Sequence, residues 1–98
     1  MAAPSDPELL LELARRDLAA NQPADAEAKC LRVLGEHHHH PGALQVLGQA
    51  LYSQGRHEDA VRVFNALTLQ EPTVAGHWQN LATALRPTKR YSQAIAAF

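Results

Sequence analysis

The sequence repeats itself with a period of 34 residues, and this period constrains the fold more than any other feature of the chain. Shifting the chain by 34 residues aligns four apolar columns over three copies. The columns are Leu10 with Leu44 and Trp78, Leu13 with Leu47 and Leu81, Ala26 with Ala60 and Ala94, and Cys30 with Phe64 and Phe98. Such a period is typical of repeat proteins, in which each copy buries its apolar face against its neighbours. The chain is therefore predicted to fold as a stacked array.

Each copy contains two apolar stripes with the spacing of a helix. In the second copy they are Leu44, Leu47 and Leu51, followed by Val61, Phe64 and Leu67. Residues at i, i+3, i+4 and i+7 share one face of a helix, so each stripe predicts one amphipathic helix. The six predicted helices cover residues 7–20, 23–36, 42–54, 57–70, 75–86 and 90–98.

Short segments with turn chemistry separate the two helices of each copy. Residues 54–56 centre on Gly55, residues 21–23 begin with Asn21, and residues 87–89 read Pro-Thr-Lys. Glycine and asparagine tolerate the positive φ that ends a helix, and proline suits the first turn of the next one. The second helix of each copy is therefore predicted to fold back antiparallel to the first.

A column of small residues predicts where two helices come closest. Ala14, Gly48 and Ala82 occupy the same position in the three copies, although alanine favours a helix by about 1 kcal/mol over glycine. A small residue in every copy indicates that another helix lies against the backbone there. The predicted core comprises Leu13, Ala26, Leu47, Gly48, Ala60, Phe64, Leu81 and Ala94.

Counted from residue 7, the pattern resembles the tetratricopeptide repeat. That repeat has Leu at position seven, Gly or Ala at eight, Ala at twenty, Phe at twenty-four and Pro at thirty-two. The second copy matches it through Leu44, Leu47, Gly48, Gly55, Ala60, Phe64 and Pro72, and the third through Trp78, Leu81, Ala82, Leu85, Tyr91, Ala94 and Phe98. The first copy is looser, with Asp17, Cys30 and His38 at positions where the repeat prefers other residues.

The resemblance implies an all-α fold, a right-handed superhelical solenoid of antiparallel helix pairs. Residues 1–6 are expected to form an N-terminal extension, residues 7–40 a first repeat and residues 41–74 a second repeat. Residues 75–98 are expected to form a third, truncated repeat, and the three repeats together one domain.

The resemblance also implies a function, because members of this family bind a peptide or protein in a concave groove lined by the first helix of each repeat. The expected activity is non-catalytic protein–protein interaction. The residues at the positions that face inward in this family, and hence the expected groove, are Arg15, Gln45, Gln49, Tyr52, Gln79, Asn80, Thr83 and Arg86. Neutral amides with a few arginines can bond an extended backbone without demanding a charge on it. The alternative is that these side chains are merely solvated helix faces.

One branch of the family clamps the C-terminal carboxylate of chaperone tails with lysines, an arginine and asparagines. The corresponding positions here hold Leu11, Arg15, Val46, Gly76 and Asn80. The clamp is therefore not expected in this chain.

The third copy stops at Phe98, an apolar residue, although repeat arrays ordinarily end in a polar cap. This suggests that the chain continues in nature, or that the truncated C-terminal helix mediates self-association. An alternative function follows: the segment could be an N-terminal targeting or regulatory arm of a larger enzyme, such as a glycosyltransferase, sulfotransferase or oxygenase. The full-length reading frame would discriminate, since more repeats favour a free-standing adaptor and a downstream catalytic domain favours the arm.

Neither catalysis nor a cofactor or metal is expected. Cys30 occupies the column of Phe64 and Phe98, which indicates a small buried hydrophobe rather than a nucleophile. The sequence contains no G-x-S-x-G, phosphate loop or H-E-x-x-H motif. His37 to His40 could bind zinc or nickel, but neighbouring side chains in an extended segment point in alternating directions, so a polar loop is favoured.

Charge and hydropathy argue against nucleic-acid and membrane partners. The 9 Lys and Arg residues nearly balance the 10 Asp and Glu residues, so no positive excess draws the chain to phosphates or anionic lipid. No apolar run approaches the roughly 18 residues of a spanning helix. One cysteine fits a reducing compartment, and a cytoplasmic location is expected.

Overall fold

The computed structural model describes the backbone of residues 6–97 and the side chains of residues 6–87. Within this range the chain forms helices and no strand. The helices are α1 (Pro7–Ala19), α2 (Pro23–Glu36), α3 (Pro41–Ser53), α4 (His57–Gln70) and α5 (Ala75–Ala97). The first four agree with the predicted bounds to within one residue, and the all-helical repeat fold is confirmed.

Prolines and N-caps define where α1 and α3, the first helices of the first two repeats, begin. Pro7 and Pro41 are the first residues of α1 and α3. Proline suits this position because it has no N–H, and an N–H there would have no partner within the helix. The Asp6 carboxylate accepts a hydrogen bond from the Glu8 N–H at 3.0 Å, and His40 Nδ1 accepts one from the Ala43 N–H at 3.2 Å. Each cap satisfies a backbone donor that the helix leaves open.

The turns after α1 and α3 are built in the same way. Asn21 has φ 62° and Gly55 has φ 78°, as the turn chemistry predicts. After α1, the N–H of Gln22 donates to the Asp17 carbonyl at 2.8 Å, and the N–H of Asn21 donates to that of Leu18 at 3.0 Å. The equivalent bonds after α3 join residues 56 and 51, and residues 55 and 52, each at 3.0 Å. This is the Schellman pattern, which ends a helix and reverses the chain.

The third copy differs from the prediction, because α5 continues from Ala75 to Ala97 with Pro87 inside it. The expected turn at residues 87–89 and the separate helix at residues 90–98 are therefore wrong. Lys89 occupies the same repeat position as Asn21 and Gly55. Lysine, unlike glycine and asparagine, rarely adopts positive φ. Although α5 has 23 residues, no helix in the described part of the chain is long and apolar enough to cross a membrane.

Consecutive helices pack against each other, and α1 also contacts α3. Of the predicted core, Ala26, Leu47, Gly48, Ala60 and Phe64 are buried. Leu13 and Leu81 are only half-buried, which corrects the prediction, and Ala94 lies outside the described side chains. The burial follows the number of neighbouring helices. Leu47 lies on α3, which contacts α1, α2 and α4, whereas α1 and α5 lie at the two ends of the array.

Gly48 lies where α3 and α4 approach most closely. A Cβ added to Gly48 would lie 2.5 Å from Cζ and 2.8 Å from Cδ1 of Phe64, well inside van der Waals contact. The prediction that Gly48 admits a neighbouring helix is therefore confirmed, with the Phe64 ring as the group that it admits. Ala14 in the same column is buried, but Ala82 is exposed, because within residues 6–97 no helix follows α5 and folds back onto it.

Candidate functional site

A pocket of about 190 Å³ lies between α3 and α5, and we call it the α3–α5 pocket. It is lined by Gln49, Tyr52, Ser53, Phe64, Asn80 and Thr83. All six side chains are uncharged, and they come from three helices, α3, α4 and α5.

The helical spacing explains why these side chains converge. Gln49 and Ser53 are four residues apart on α3, and Asn80 and Thr83 are three residues apart on α5. Residues at these spacings lie one above the other on the same helix face. Phe64 comes from α4, which packs against both α3 and α5, so its ring lies between the two rows. The pocket is thus apolar at its floor and polar at its rim.

Tyr52 is held in place by an aromatic contact at the turn. Its ring centroid lies 4.8 Å from that of His57, with 62° between the ring planes. This is an edge-to-face arrangement, which aromatic rings favour. Since His57 is the first residue of α4, the turn that positions α4 also fixes the tyrosine at the pocket rim.

Half of the predicted groove residues meet in this pocket. Gln49, Tyr52, Asn80 and Thr83 line it together. All four are partly buried, so their side chains are neither in the core nor fully solvated.

The other four predicted groove residues lie outside the pocket. Arg15 is exposed on α1, and Gln45 is half-buried on α3, one turn before Gln49. Gln79 and Arg86 are exposed on α5. None of these four side chains lines the pocket.

Two lining residues were not among the predicted groove residues. Ser53 lies one helical turn after Gln49, and this spacing alone could have indicated it. Phe64 was predicted as core and is only 3% exposed, yet it also forms the pocket floor. No local pattern distinguishes a core phenylalanine from one that borders a pocket.

Charged residues next to α3 bond to one another and stabilise the packing of the helices. The Arg56 guanidinium donates to both carboxylate oxygens of Glu27, at 3.1 and 3.0 Å, and Gln54 donates to Glu27 at 2.9 Å. The hydrogen bond to Glu27 raises the pKa of Arg56 further above its ordinary value. These bonds tie the α3–α4 turn to α2 and leave the pocket itself neutral.

Cys30 has the environment of a structural residue. It is fully buried, as predicted, and desolvation raises the pKa of its thiol from 9.0 to about 12. A thiol with so high a pKa stays protonated at neutral pH, and the protonated form is a poor nucleophile.

The histidine run forms the connection between α2 and α3. His37 follows the last residue of α2, and His40 caps α3 through its Nδ1, which must be unprotonated to accept that bond. His40 Nε2 lies 3.5 Å from a Glu8 carboxylate oxygen. Among the side chains that the structure describes, no three or more of His, Cys, Asp and Glu meet as a metal site would require.

A family model described as Tetratricopeptide repeat matches residues 17–85. The match begins within α1 and ends within α5, so it includes all six residues of the α3–α5 pocket. No curated protein matches the chain.

Proposed function

The chain belongs to the tetratricopeptide-repeat family, whose repeats mediate protein–protein interaction, and we propose that it binds an extended peptide segment of a partner protein across the α3–α5 pocket. In this proposal the chain is a non-catalytic interaction module. The proposal includes a cytoplasmic location, which the single free cysteine favours.

The observation that carries the proposal is the convergence of two amide side chains from separate helices on one pocket. Gln49 comes from α3 and Asn80 from α5. A carboxamide both donates and accepts hydrogen bonds, as does a peptide group, so the two residues can bond an extended backbone from opposite sides. Because the lining is uncharged, the proposed ligand is a neutral stretch of chain.

A displayed library of random peptides, selected against the full chain, tests this proposal. Selected peptides would be resynthesised and their affinities measured by calorimetry. We expect the double variant Gln49→Ala/Asn80→Ala to weaken binding by about tenfold or more, because each lost hydrogen bond contributes about 0.5–1.5 kcal/mol.

A matched double variant controls for the loss of amides in general. Gln22 is exposed before α2 and makes no side-chain cap, and Asn65 is exposed on α4. We expect Gln22→Ala/Asn65→Ala to bind the selected peptides like the unaltered chain. If this control weakened binding and Gln49→Ala/Asn80→Ala did not, the peptide site would lie on the outer face and the proposal would be wrong.

A second candidate is self-association through α5, which the exposure of its apolar side chains favours. Trp78 is 51% exposed, and Ala82 is exposed although its column mates Ala14 and Gly48 are buried against a partner helix. Residues 90–97 of a second copy carry the sequence pattern of that missing partner helix. We therefore propose that two copies pair through their α5 helices.

Sedimentation velocity over a range of concentrations tests the pairing. We expect a concentration-dependent dimer for the unaltered chain and a monomer for Ala82→Arg. The matched control is Ala28→Arg on α2, where the alanine is also exposed, and it should leave the dimer intact. A monomer at every concentration in the unaltered chain would contradict this candidate.

A further inference from the structure

The floor of the α3–α5 pocket is the ring of Phe64, and this ring packs against Gly48. Phe64 is almost fully buried, yet its ring borders the pocket, so the position of the ring determines how deep the pocket is. Gly48 borders the same ring from α3, at the distances given above. The absence of a Cβ at Gly48 therefore determines where the floor lies.

The size of the pocket limits what it can hold. A cavity of about 150 Å³ lined by apolar side chains accepts benzene in another protein. At about 190 Å³, the α3–α5 pocket has room for one side chain of the size of leucine, methionine or phenylalanine.

The absence of charged residues from the pocket lining further restricts which class of side chain the pocket can hold. None of the six lining side chains is ionisable near neutral pH, so a carboxylate or ammonium group that entered would lose water without gaining a counter-charge. The amides of Gln49 and Asn80 are matched instead to the neutral peptide groups that flank a side chain in an extended backbone.

We infer that the α3–α5 pocket holds a single uncharged apolar side chain of the bound peptide, and that Gly48 selects its size by fixing the position of the Phe64 ring. The inference rests on the proposed function and adds to it the chemical class of the anchoring residue. Gly48 acts through Phe64 and touches no ligand, so it is a positioning residue.

A substitution at Gly48 must disturb this arrangement. Real Cβ atoms essentially never come within 3.0 Å of a non-bonded heavy atom of another element, and an alanine Cβ at position 48 would lie 2.5 Å from Phe64 Cζ. The ring therefore has to move away from α3, and because it borders the pocket, its movement changes the pocket floor. Gly48→Ala thus alters which side chain fits without removing the amides of Gln49 and Asn80.

Small probes test the pocket without knowledge of the partner. The probes are N-acetyl amino acid N-methylamides, which present one side chain between two peptide groups. The 15N-labelled full chain is titrated with the leucine, methionine, phenylalanine, alanine and aspartate compounds. Affinity is read from the backbone amide signals of Gln49, Asn80 and Thr83 and from the side-chain amide signals of Gln49 and Asn80. We expect the leucine or methionine compound to bind at least about tenfold more tightly than the alanine and aspartate compounds.

Two variants test the floor and the rim of the pocket separately. Gly48→Ala should reduce the preference for leucine over alanine by about tenfold. Thr83→Leu, which fills the rim with a larger side chain at a partly buried position, should abolish binding of every probe. Thr73→Leu is the matched control, because Thr73 is exposed outside the pocket, and it should bind like the unaltered chain. If Gly48→Ala does not fold, Phe64→Leu tests the floor instead, because the smaller side chain deepens the pocket. An unchanged preference among the probes in folded Phe64→Leu would overturn the inference.

The outcomes distinguish the inference from the proposed function. Equal affinity for the leucine and aspartate compounds, or an unchanged preference in folded Gly48→Ala, would overturn the inference even if selected peptides still depended on Gln49 and Asn80. Peptides that ignored Gln49 and Asn80 would instead overturn the proposed function, whatever the probes did.

Discussion

At the scale of single residues, the contact between Gly48 and Phe64 sets the closest approach of α3 and α4. Two effects oppose each other at this position. Glycine costs a helix about 1 kcal/mol relative to alanine, and an added methyl group in a well-packed core costs about 1–3 kcal/mol. With an alanine Cβ only 2.5 Å from Phe64 Cζ, the overpacking is expected to exceed the gain in helix propensity.

We predict that Gly48→Ala lowers the free energy of unfolding, by up to about 2 kcal/mol. Gly35 provides the matched control, because it also lies within a helix and an added Cβ there would meet nothing within 4 Å. Gly35→Ala should therefore stabilise the chain by about 0.5–1 kcal/mol. Urea melts of both variants measure the difference, and equal stabilisation by the two substitutions would show that Gly48 is not packed as described.

Cys30 gives a second prediction at this scale. Its pKa is raised to about 12 by burial, so the folded chain keeps the thiol protonated while the unfolded chain ionises near pH 9. Stability associated with the neutral thiol is complete below pH 9 and is lost as the pH rises toward 12. We expect urea melts between pH 8 and pH 11 to show less loss of stability in Cys30→Ala than in the unaltered chain. A thiol reagent that modified Cys30 rapidly in the folded chain at pH 8 would contradict this account.

At the scale of helices and turns, one column decides whether a helix ends. Asn21 and Gly55 take positive φ and reverse the chain, whereas Lys89 in the same column does not provide for such a turn. Pro87 alone does not end α5. The residue that adopts positive φ is therefore the stronger determinant of these helix ends.

We predict that Lys89→Gly allows residues 90–97 to fold back along α5. Spin labels on cysteines placed at Gly76 and Ala96 measure the change, since buried Cys30 can be replaced by Ser or left unlabelled. In a continuous helix, the two positions are about 30 Å apart. In an antiparallel pair, Ala96 would lie about five residues along the helix from Gly76, which gives a separation of about 12 Å. A distance that remained near 30 Å in Lys89→Gly would show that this column does not control the end of α5.

The sequence predicts the first four helices well, because α1, α2 and α3 each begin with a proline and the positive φ of Gly55 ends α3 just before α4 begins. The same reasoning fails for α5, because Pro87 lies inside the helix and Lys89 occupies the position at which Asn21 and Gly55 take positive φ. Half-burial of Leu13 and Leu81 could not be predicted from their column, since burial depends on how many helices surround each copy.

At the scale of the whole molecule, the α3–α5 pocket arises only where three helices meet. Gln49, Tyr52, Asn80 and Thr83 could be predicted, because inward-facing positions recur with the repeat. The participation of Phe64 could not, because it depends on how far the ring reaches between α3 and α5. Nor could the sequence indicate that Arg15 and Arg86, although predicted with the others, lie outside the pocket.

The most direct test of the proposed function is the footprint of a selected peptide on the 15N-labelled full chain. We predict that the largest chemical-shift changes fall on Gln49, Ser53, Asn80 and Thr83, because these residues form the rim of the α3–α5 pocket. Changes confined to exposed residues of α2 and α4, the second helices of the first two repeats, would contradict the proposed function. Arg32 on α2 and Asn65 on α4 are such residues.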